Sequence, residues 1–458
     1  ITNNDENQIL KKLDFLFAMK TADLTAGGGS FLRGAFRQLA EKHDALVGLK
    51  ISDAIRNKYP MLQEGDTGIL AWEEYILNHM IYGIDIDYKA ILISSLSLML
   101  SSLQHRPVGH ELPKLIGKTL IHQNSLMNST PFVGRKKLFE EKRSEIKKLL
   151  ILKETDFAKY EKLKKSLQLF FLRYAQDKVA DKTQILNIEC LEINLPEVFF
   201  NKNGILKENA GFDCVIGNPP WEAWKMNYDE FYKKYNTDYE SYGLSREKET
   251  RKNELQNKFP HIVEKLKQEE EKYFYGMKLL ESENYYPYRR HKVNDRYPAT
   301  ETNLYKIATE RFLQLLVNGG KLSIIVPDNM MTDIGSTGIR VLLFKKYDLK
   351  EFLSFDNKNG IFKSVDTRQR FAVMSVDKNP SISSTFDAFF YKYSLDNLNH
   401  DNLKIKYSKA IVKEFEPEKL SLFEPRDIKE FDLYVHLRKK CNSLGNTRLL
   451  DFRIEYNA

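Results

Sequence analysis

The chain has 458 residues, of which 42% are hydrophobic, and a formal net charge of +8. This composition excludes an intrinsically disordered chain and predicts a large globular core in two or three domains. The longest apolar run, residues 91–103, is too short to cross a bilayer, so no membrane partner is expected. The cysteines Cys190, Cys214 and Cys441 lie far apart without metal-ligand spacing. They predict a reducing, cytoplasmic setting and no metal site.

A strand, a glycine-rich turn and an amphipathic helix are predicted over residues 19–39. The turn, residues 23–30, reads DLTAGGGS, and the helix begins at Phe31. The glycines allow the backbone to approach a ligand closely, and the N-terminus of the helix offers hydrogen-bond donors. The turn lacks the GxGxxG dinucleotide pattern, so by itself it is weak evidence of a ligand site.

Polar side chains follow the next two predicted strands, which cover residues 79–85 and 119–122. Asp85 ends the first of these strands, where a carboxylate suits the two hydroxyl groups of a ribose. Asp87 is instead expected to be the N-cap of the following helix. Asn124 follows the other strand, where it could meet an adenine amino group or ring nitrogen, or serve as a simple turn residue.

Most of the excess positive charge lies in one segment. Residues 133–183 contain 15 Lys and Arg and 8 Asp and Glu, so this segment carries +7 of the total of +8. Its basic residues recur at helical spacing among Leu and Phe. The segment is predicted to be helical, either a solvated hairpin or a basic arm that faces phosphates. The basic residues considered are Arg135, Lys136, Lys137, Lys142, Arg143, Lys147, Lys148, Lys162, Lys164 and Lys165.

The most informative segment is residues 213–221, which reads DCVIGNPPW. Its apolar residues suit a buried strand, and Gly217 with the two prolines prevents the strand from continuing. The side-chain oxygen of Asn218 and the carbonyl of Pro219 can accept the two hydrogens of a planar exocyclic amine. Trp221 offers a face on which a heterocycle can stack. The same four letters, NPPW, could also form an ordinary loop after a strand.

The rest of the chain continues the alternation of strands and helices. Residues 222–300 form a second insert, dense in Tyr, Lys and Glu. Alternation with crossover connections predicts an α/β fold with a parallel, doubly wound sheet, in which ligands bind at the carboxyl ends of the strands. The later predicted elements are a helix over residues 304–317 closed by Gly319-Gly320, and strands over residues 321–326, 349–355 and 370–376.

These motifs resemble those of amino-group DNA methyltransferases of the gamma-ordered, N6-adenine kind, such as those of type IIG restriction–modification and BREX-type phage defence. Residues 23–32 are similar to the family's DPACGSGxFL element, although Leu24-Thr25-Ala26 and Gly28 depart from it. Residues 193–199 and 211–221 resemble FPEVF…GFDxVIGNPPY, the most specific match. The resemblance implies a doubly wound, Rossmann-like class I methyltransferase sheet with helical inserts.

Two further stretches extend the resemblance, which covers about residues 15–380. Residues 121–126 resemble the family's xxGNSL element, with Gln123 in place of its glycine, and residues 357–371 resemble iFxxVxxRxrF. Phe362 matches a second aromatic against the target base, although plain core packing is an equal alternative.

The resemblance implies S-adenosylmethionine as cofactor, double-stranded DNA as partner and N6-methyladenine as product. Acceptance of both amino hydrogens would let the nitrogen approach a tetrahedral state without a strong base, and the base must first be flipped out of the duplex. The implied catalytic residues are Asn218, Pro219, Pro220, Trp221 and Phe362, and the implied cofactor-binding residues are Asp23, Thr25, Gly27, Gly29, Phe31, Asp85, Asn124 and Ser125.

The family pattern also suggests how the chain is divided. No clear match is found to the cofactor-binding segment that usually precedes the glycine turn, and no nuclease constellation is found. The chain is therefore expected to be a fragment whose recognition function comes from absent chain or from other defence-system subunits. The predicted segments are residues 1–130, the cofactor-binding half; 131–185, a basic helical insert; 186–222, the catalytic strand and NPPW loop; 223–300, an aromatic and charged helical insert; 301–400, the second half of the sheet; and 401–458, an extension leading toward an absent target-recognition domain.

Two other functions remain open at this point. One is methyl transfer to another planar amine or amide, such as an RNA adenine or a glutamine side chain. The other is a catalytically silent subunit that binds the cofactor or DNA within a defence complex, which the divergent Leu24-Thr25-Ala26 turn motivates. The retained NPPW segment argues against this second alternative.

Overall fold

The structure is a computed structural model that describes residues 3–179, 188–236, 245–363, 366–379 and 383–441. The chain forms two compact units. Unit 1 comprises Ile1–Arg290 and Thr300–Ile324, and unit 2 comprises His291–Ala299 and Ile325–Ala458. The six predicted segments stay predictions. The part of the expected C-terminal extension beyond residue 441 lies outside the described residues.

Unit 1 is built on a parallel β-sheet. Its strands are β1 (Thr21–Asp23), β2 (Ile81–Asp85), β3 (Leu120–His122), β4 (Phe212–Gly217) and β5 (Leu316–Pro327), the last of which ends in unit 2. The order is β3-β2-β1-β4-β5, and each of these neighbouring pairs is parallel. The order reverses between β1 and β4, so the switch point lies beyond their carboxyl ends. The predicted doubly wound α/β fold is confirmed.

Helices pack around this sheet. The buried side chains of Leu32, Phe36, Trp72 and Ile91 share one apolar core cluster. Within the described residues, no helix combines the length and apolar character needed to cross a membrane. The helices of unit 1 are α1 (Asn3–Ala18), α2 (Ser30–Ala40), α3 (His43–Val47), α4 (Asp53–Lys58), α5 (Gly65–Tyr75), α6 (Tyr88–Ser101), α7 (Arg135–Glu140), α8 (Arg143–Thr155), α9 (Phe157–Val179), α10 (Leu191–Asn194), α11 (Pro196–Phe199), α12 (Tyr228–Lys233), α13 (Ser245–Lys258), α14 (His261–Leu280) and α15 (Leu304–Leu315).

The connection from α15 to β5 differs from the prediction. A helix to residue 317 closed by Gly319-Gly320 was expected, but α15 ends at Leu315 and β5 begins at Leu316. The cause is the pairing of Leu316 with Phe212 on β4, which draws the chain into the sheet. Gly319 and Gly320 therefore lie within an irregular strand, and a Cβ at Gly320 would lie 3.0 Å from the carbonyl oxygen of Phe212.

The basic insert is helical, as α7, α8 and α9 show. One of its predicted surface cations is misplaced, because Arg135 is largely buried and its guanidinium donates to the fully buried Glu192 at 2.9 Å. Other cations are paired with glutamates three residues away, such as Lys164 with Glu161 on α9 at 2.5 Å and Lys142, the N-cap of α8, with Glu145 at 2.7 Å. Of the lysines considered in the sequence, Lys147, Lys148, Lys162 and Lys165 are exposed on α8 and α9.

Unit 2 contains a mixed sheet. Its own strands are β6 (Asp348–Asp356), β7 (Arg370–Asp377), β8 (Thr385–Lys392) and β9 (Ile405–Ser408), and its helices are α16 (Thr337–Lys345), α17 (Lys409–Phe415) and α18 (Ile428–Lys440). The strand order is β7-β6-β8-β9, with β6 parallel to β8 and the other two pairs antiparallel. The alternation of strands and helices along the sequence predicted a parallel sheet throughout. For unit 2 this prediction is wrong, because two of its three strand pairs are antiparallel.

Candidate active site

A cavity of about 420 Å³ lies in unit 1 at the carboxyl ends of the strands. Its volume falls within the range of about 300–1,000 Å³ that is typical of small-molecule sites. Residues that follow β1, β2, β3 and β4 all contribute to its walls. The cavity is therefore placed where a doubly wound sheet binds its ligands. The predicted site residues in its lining are Thr25, Asp85, Asn124, Ser125, Asn218 and Pro220.

The tips of β1 and β4 meet directly. A Cβ built on Gly217 would lie 2.7 Å from Oδ1 of Asp23, so only a glycine lets the two strand ends approach so closely. Asn218 follows immediately, is exposed and lines the cavity. The β4 tip predicted from the sequence and the first residues of the glycine turn thus lie side by side.

Asp23 is a buried acid at this junction. Its side chain is 1% exposed, and Oδ1 accepts a hydrogen bond from the backbone N–H of Thr25 at 3.0 Å. Burial raises the pKa of the Asp23 carboxyl to about 7, and the negative charge of Asp85 contributes in the same direction. Among the described residues, neither Oδ2 of Asp23 nor Oγ1 of Thr25 has a hydrogen-bond partner, although both atoms are buried.

Asp85 supports the glycine turn and lines the cavity as well. Its Oδ2 accepts from the backbone N–H of Gly27 at 2.8 Å, and its Oδ1 accepts from that of Asp87 at 2.8 Å. A carboxylate has about four lone-pair positions, so two of them remain for a ligand. Asp87 caps α6 by accepting from the N–H of Lys89 at 2.9 Å, which confirms its predicted N-cap role.

The glycines of the turn are required by its backbone and by Ser94. Gly27 and Gly29 have φ angles of 52° and 78°, in the left-handed region that side chains rarely adopt. A Cβ on Gly29 would lie 2.8 Å from Oγ of Ser94, which itself donates to the carbonyl of Gly27 at 2.8 Å. Phe31 is half-buried in the first turn of α2. The predicted roles of Gly27, Gly29 and Phe31 toward a cofactor stay predictions.

The loop after β3 forms another wall. Asn124 is 6% exposed, and its Oδ1 accepts from the N–H of Leu126 at 3.0 Å. Asn124 is therefore a turn residue, and it also lines the cavity. Arg311 on α15 donates to the carbonyl of Ser125 at 3.3 Å, and the hydroxyl of Tyr286 donates to that of Leu126. The loop is thus held from two directions.

The residues of the NPPW segment are not all placed alike. Asn218 and Pro220 line the cavity, whereas Pro219 and Trp221 are not among the described residues of its lining. Pro219 is buried, and Trp221 is half-buried with its indole N–H buried and without a partner among the described residues. The predicted contacts of Pro219 and Trp221 with an amine and a base stay predictions.

Sequence reasoning missed an aromatic wall of the cavity. Trp224 and Tyr273, whose ring centroids are 4.9 Å apart, both line it, as does Lys272. Trp224 could have been noticed as a second tryptophan just beyond Trp221. Tyr273 and Lys272 gave no signal, because the fold of the second insert brings α14 to the cavity.

Phe362 belongs to unit 2. It is half-buried, and its ring meets that of Phe371 edge-on at a centroid distance of 4.8 Å. Its backbone N–H and carbonyl both bond the side chain of Asn357, at 2.8 and 3.1 Å. These contacts fit the packing alternative within unit 2, and its role against a base stays a prediction.

The donor set fits a cofactor such as S-adenosylmethionine. The buried hydroxyl of Thr25, which lines the cavity and has no hydrogen-bond partner among the described residues, would bond a polar group of such a ligand. The spare lone pairs of Asp85 would serve ribose hydroxyls. The fold and this site define a Rossmann-like α/β protein with a ligand cavity at the switch point of its sheet.

The chain belongs to the Eco57I restriction-modification methylase family. The family's pattern matches residues 79–248 and 274–362, which together make up more than half of the chain. The matched residues include β2 to β4 and the NPPW segment. The predicted resemblance to restriction–modification methyltransferases is therefore confirmed. No curated protein matches the sequence.

Solved structures with a similar fold include three restriction–modification proteins. The type ISP enzyme LlaGI, bound to a DNA substrate mimic, has 10% identity and a TM-score of 0.39 over 84% of this chain and 23% of its own. A modification subunit assigned to a type I restriction enzyme of Vibrio vulnificus YJ016 has 11% identity and a TM-score of 0.44, over 91% and 57%. The EcoKI M protein has 11% identity and a TM-score of 0.39, over 94% and 70%. At these TM-scores the matches say nothing about chemistry. The chain spans less than two thirds of the first two proteins.

Proposed function

We propose that the chain transfers a methyl group from S-adenosylmethionine to the N6 amino group of an adenine flipped out of double-stranded DNA, in a restriction–modification system. The observation that carries this proposal is that Asn218, after β4, and Asp85, at the end of β2, both line the one cavity beside the tip of β1. Family membership supports the methylase class, and the residues of the lining support the proposed chemistry.

The residues of the cavity divide into two groups along the sheet. Asp85 and Asn124, at the β2 and β3 ends, would hold the ribose and adenine of the cofactor. Asn218, at the β4 end, would hold the amino group of the target. Since β1 separates β2 from β4, and neighbouring strands lie about 4.8 Å apart, the strand ends that carry Asp85 and Asn218 are about 10 Å apart across the sheet.

Asn218 would act by position. Its side-chain oxygen accepts one hydrogen of the exocyclic amine, which favours a tetrahedral nitrogen with its lone pair directed toward the cofactor. The Pro219 carbonyl would accept the second hydrogen. S-adenosylmethionine, when bound, would supply the electrophilic methyl group of its sulfonium and leave as the thioether S-adenosylhomocysteine, and the methylated amine would release one proton to solvent. Orientation of two reactants can lower a barrier by about 7–11 kcal/mol in favourable cases, so no strong base is needed.

A nucleic acid is the class of acceptor that the chain's charge favours over a protein. The exposed Lys147, Lys148, Lys162 and Lys165 of α8 and α9 would contact phosphates without reading sequence. Base flipping costs a few kcal/mol, which aromatic stacking would partly offset.

The proposal is tested by incubating the chain with methyl-labelled S-adenosylmethionine and, separately, with DNA, RNA or protein. We expect label in DNA, at adenine. Label in RNA or protein instead would support the second enzyme class considered above. Cofactor binding without transfer to any of the three acceptors, in a correctly folded chain, would support the silent subunit.

A further inference from the structure

We propose that Gln123 is a positioning residue of the cofactor site, which it joins to the basic insert through the side chains of Asn194 and Gln168. This inference rests on the proposed function and deepens it, because it names groups outside the cavity that set the geometry of its cofactor end. Gln123 directly precedes Asn124, the residue proposed to hold the cofactor's adenine. Gln123, Asn194 and Gln168 are not among the described residues of the cavity lining, so they would act through the loop after β3.

The backbone of Gln123 links the ends of two strands. Its N–H donates to the carbonyl of Asp85 at 2.9 Å, which holds the end of β3 against the end of β2. Asn124 follows at once and accepts from the N–H of Leu126, so the turn of the loop begins here. The two proposed cofactor contacts, Asp85 and Asn124, are therefore both attached to Gln123. A displacement of this one residue would change the distance between them.

The side chain of Gln123 is held from the side of the basic insert. Its Nε2 donates to the carbonyl of Glu189 at 3.1 Å, and its Oε1 accepts from Nδ2 of Asn194 at 2.9 Å. Oδ1 of Asn194 accepts in turn from Nε2 of Gln168 at 2.9 Å. Gln168 lies on α9 of the insert and also bonds both the N–H and the carbonyl of Cys190. These three side chains, the amide network, connect α9 to the loop after β3 without a break.

Burial makes the amide network costly to disturb. Gln123 is 1% exposed and Asn194 is 2% exposed. Without the Gln123 side chain, one N–H of the buried Asn194 amide would lose its acceptor, since the other N–H donates to Oε2 of Glu189. A buried polar group without a partner is unfavourable, so the network favours one position of the loop over shifted ones. The sequence has Gln123 where the xxGNSL element has a glycine, which could make neither side-chain bond.

The same segment also holds the far part of the loop. The N–H of Ser129 donates to the carbonyl of Glu189 at 3.1 Å, and the N–H of Leu191 donates to Oδ1 of Asn128 at 2.8 Å. The loop is therefore bonded to the residues that follow α9 at both of its ends. Gln123 is the tie at the cofactor end, and Asn128 with Ser129 is the tie at the other end.

The test measures cofactor affinity in variants that leave the cavity lining intact. Gln123→Met and Gln168→Met replace an amide by an apolar side chain of similar length. Affinity for S-adenosylhomocysteine is measured by calorimetry, and the free energy of unfolding is measured in urea. Thr119→Val is the matched control, because the buried hydroxyl of Thr119 donates to the carbonyl of Leu77 at 3.2 Å just before the opposite end of β3.

We expect Gln123→Met and Gln168→Met each to bind S-adenosylhomocysteine roughly fivefold to tenfold more weakly, the size of effect of one lost hydrogen bond. Thr119→Val should lose stability and keep wild-type affinity. The double glutamine variant should bind no more weakly than Gln123→Met alone, because changes within one network are not additive. In the methylation assay, KM for S-adenosylmethionine should rise in both glutamine variants with kcat little changed, since Asn218 is untouched.

Wild-type cofactor affinity in either glutamine variant would overturn the inference. An equal loss of affinity in Thr119→Val would reduce the effect to general destabilisation, and additive losses in the double variant would break the link to α9, so both would also overturn it. If Gln123→Met does not fold, Gln168→Met decides, because Gln168 is only half-buried.

The outcomes separate this inference from the proposed function. If the chain methylates DNA while both glutamine variants keep wild-type cofactor affinity, the inference fails and the proposed function stands. If the variants lose affinity as expected but no acceptor is methylated, the proposed function fails instead. A folded wild-type chain that does not bind S-adenosylhomocysteine would contradict both.

Discussion

Asn218, at the tip of β4, is the side chain that the proposed reaction needs but cofactor binding does not. Asn218 is exposed in the cavity wall, directly after a glycine that packs against Asp23. Its amide can hold the amine of a substrate without contributing to the sheet. Removing it should therefore affect the chemical step much more than folding or cofactor affinity.

Asn218→Ala should lower the rate of methyl transfer by about 100-fold or more, the size of effect seen when a group acting on the reacting atoms is removed. Cofactor affinity by calorimetry should change little. Asn209→Ala is a matched control, because Asn209 lies on the loop before β4 and bonds the carbonyl of Asn318. Wild-type turnover by Asn218→Ala would reject the assigned role.

Asp85 and Asp87 lie two residues apart and should respond differently. Asp85→Ala removes the carboxylate proposed to hold the ribose, so cofactor affinity should fall by about tenfold or more, as for lost hydrogen bonds to a charged group. Asp87→Ala removes the cap of α6, so the free energy of unfolding should fall by about 1 kcal/mol. Equal cofactor affinity in the wild type and in Asp85→Ala, measured by calorimetry, would contradict the ribose role.

Asp23 should make stability depend on pH in the ligand-free protein. Its folded-state pKa is about 7, against an ordinary value of 3.8. The folded state then binds the proton more tightly than the unfolded state, so this contribution is complete below about pH 4 and is lost as the pH rises through about 7. Asp23→Asn keeps the acceptor for Thr25 and stays neutral. Urea unfolding of both proteins between pH 4 and 8 should show the wild type losing stability relative to the variant; parallel profiles would be inconsistent with a protonated Asp23.

At the scale of elements, the lysines of the α8 and α9 region fall into two groups. Some are exposed and could contact phosphates, and others already form ion pairs with glutamates. Lys147, Lys148, Lys162 and Lys165 are exposed, whereas the ammonium groups of Lys142 and Lys164 lie 2.7 and 2.5 Å from glutamates one turn away. Charge counting along the sequence treats all these residues alike. Helical spacing predicted the helices, but only the structure shows which cations face solvent without such a pair.

Replacing the four exposed lysines by alanine should flatten the dependence of DNA affinity on salt concentration. Each lost phosphate contact should reduce the slope of log K against log salt by about 0.9. The double variant Lys142→Ala, Lys164→Ala is the control and should change the slope less. Equal slopes in the wild type and in the four-lysine variant, measured by fluorescence anisotropy at several salt concentrations, would exclude these helices as the DNA contact.

At the scale of the whole molecule, the alternation of strands and turns was enough to predict the parallel sheet of unit 1. The ends of β2, β3 and β4 follow from local residue types, namely a buried apolar run stopped by Asp85, Asn124 or Asn218. The end of α15 could not be predicted, because the pairing of Leu316 with Phe212 overrides the local glycine signal. Antiparallel β7 likewise depends on pairing across the sheet, which periodicity does not encode.

The candidate site was predictable to the extent that its residues follow strands. Thr25, Asp85, Asn124 and Asn218 could be expected together, because the carboxyl ends of parallel strands meet at one edge. Tyr273 could not, since α14 reaches the cavity only through the fold of an insert without a sequence signature. The second insert thus contributes Lys272 and Tyr273 to the cavity lining, in addition to the residues that follow the strands.

The most direct test of the account is the structure of the chain with sinefungin, an analogue that carries an amine in place of the transferable methyl group. We expect the analogue to occupy the unit 1 cavity, with its ribose hydroxyls on Asp85 and its amine directed toward Asn218. An analogue bound outside this cavity, or bound with its amine facing away from the tip of β4, would contradict the account.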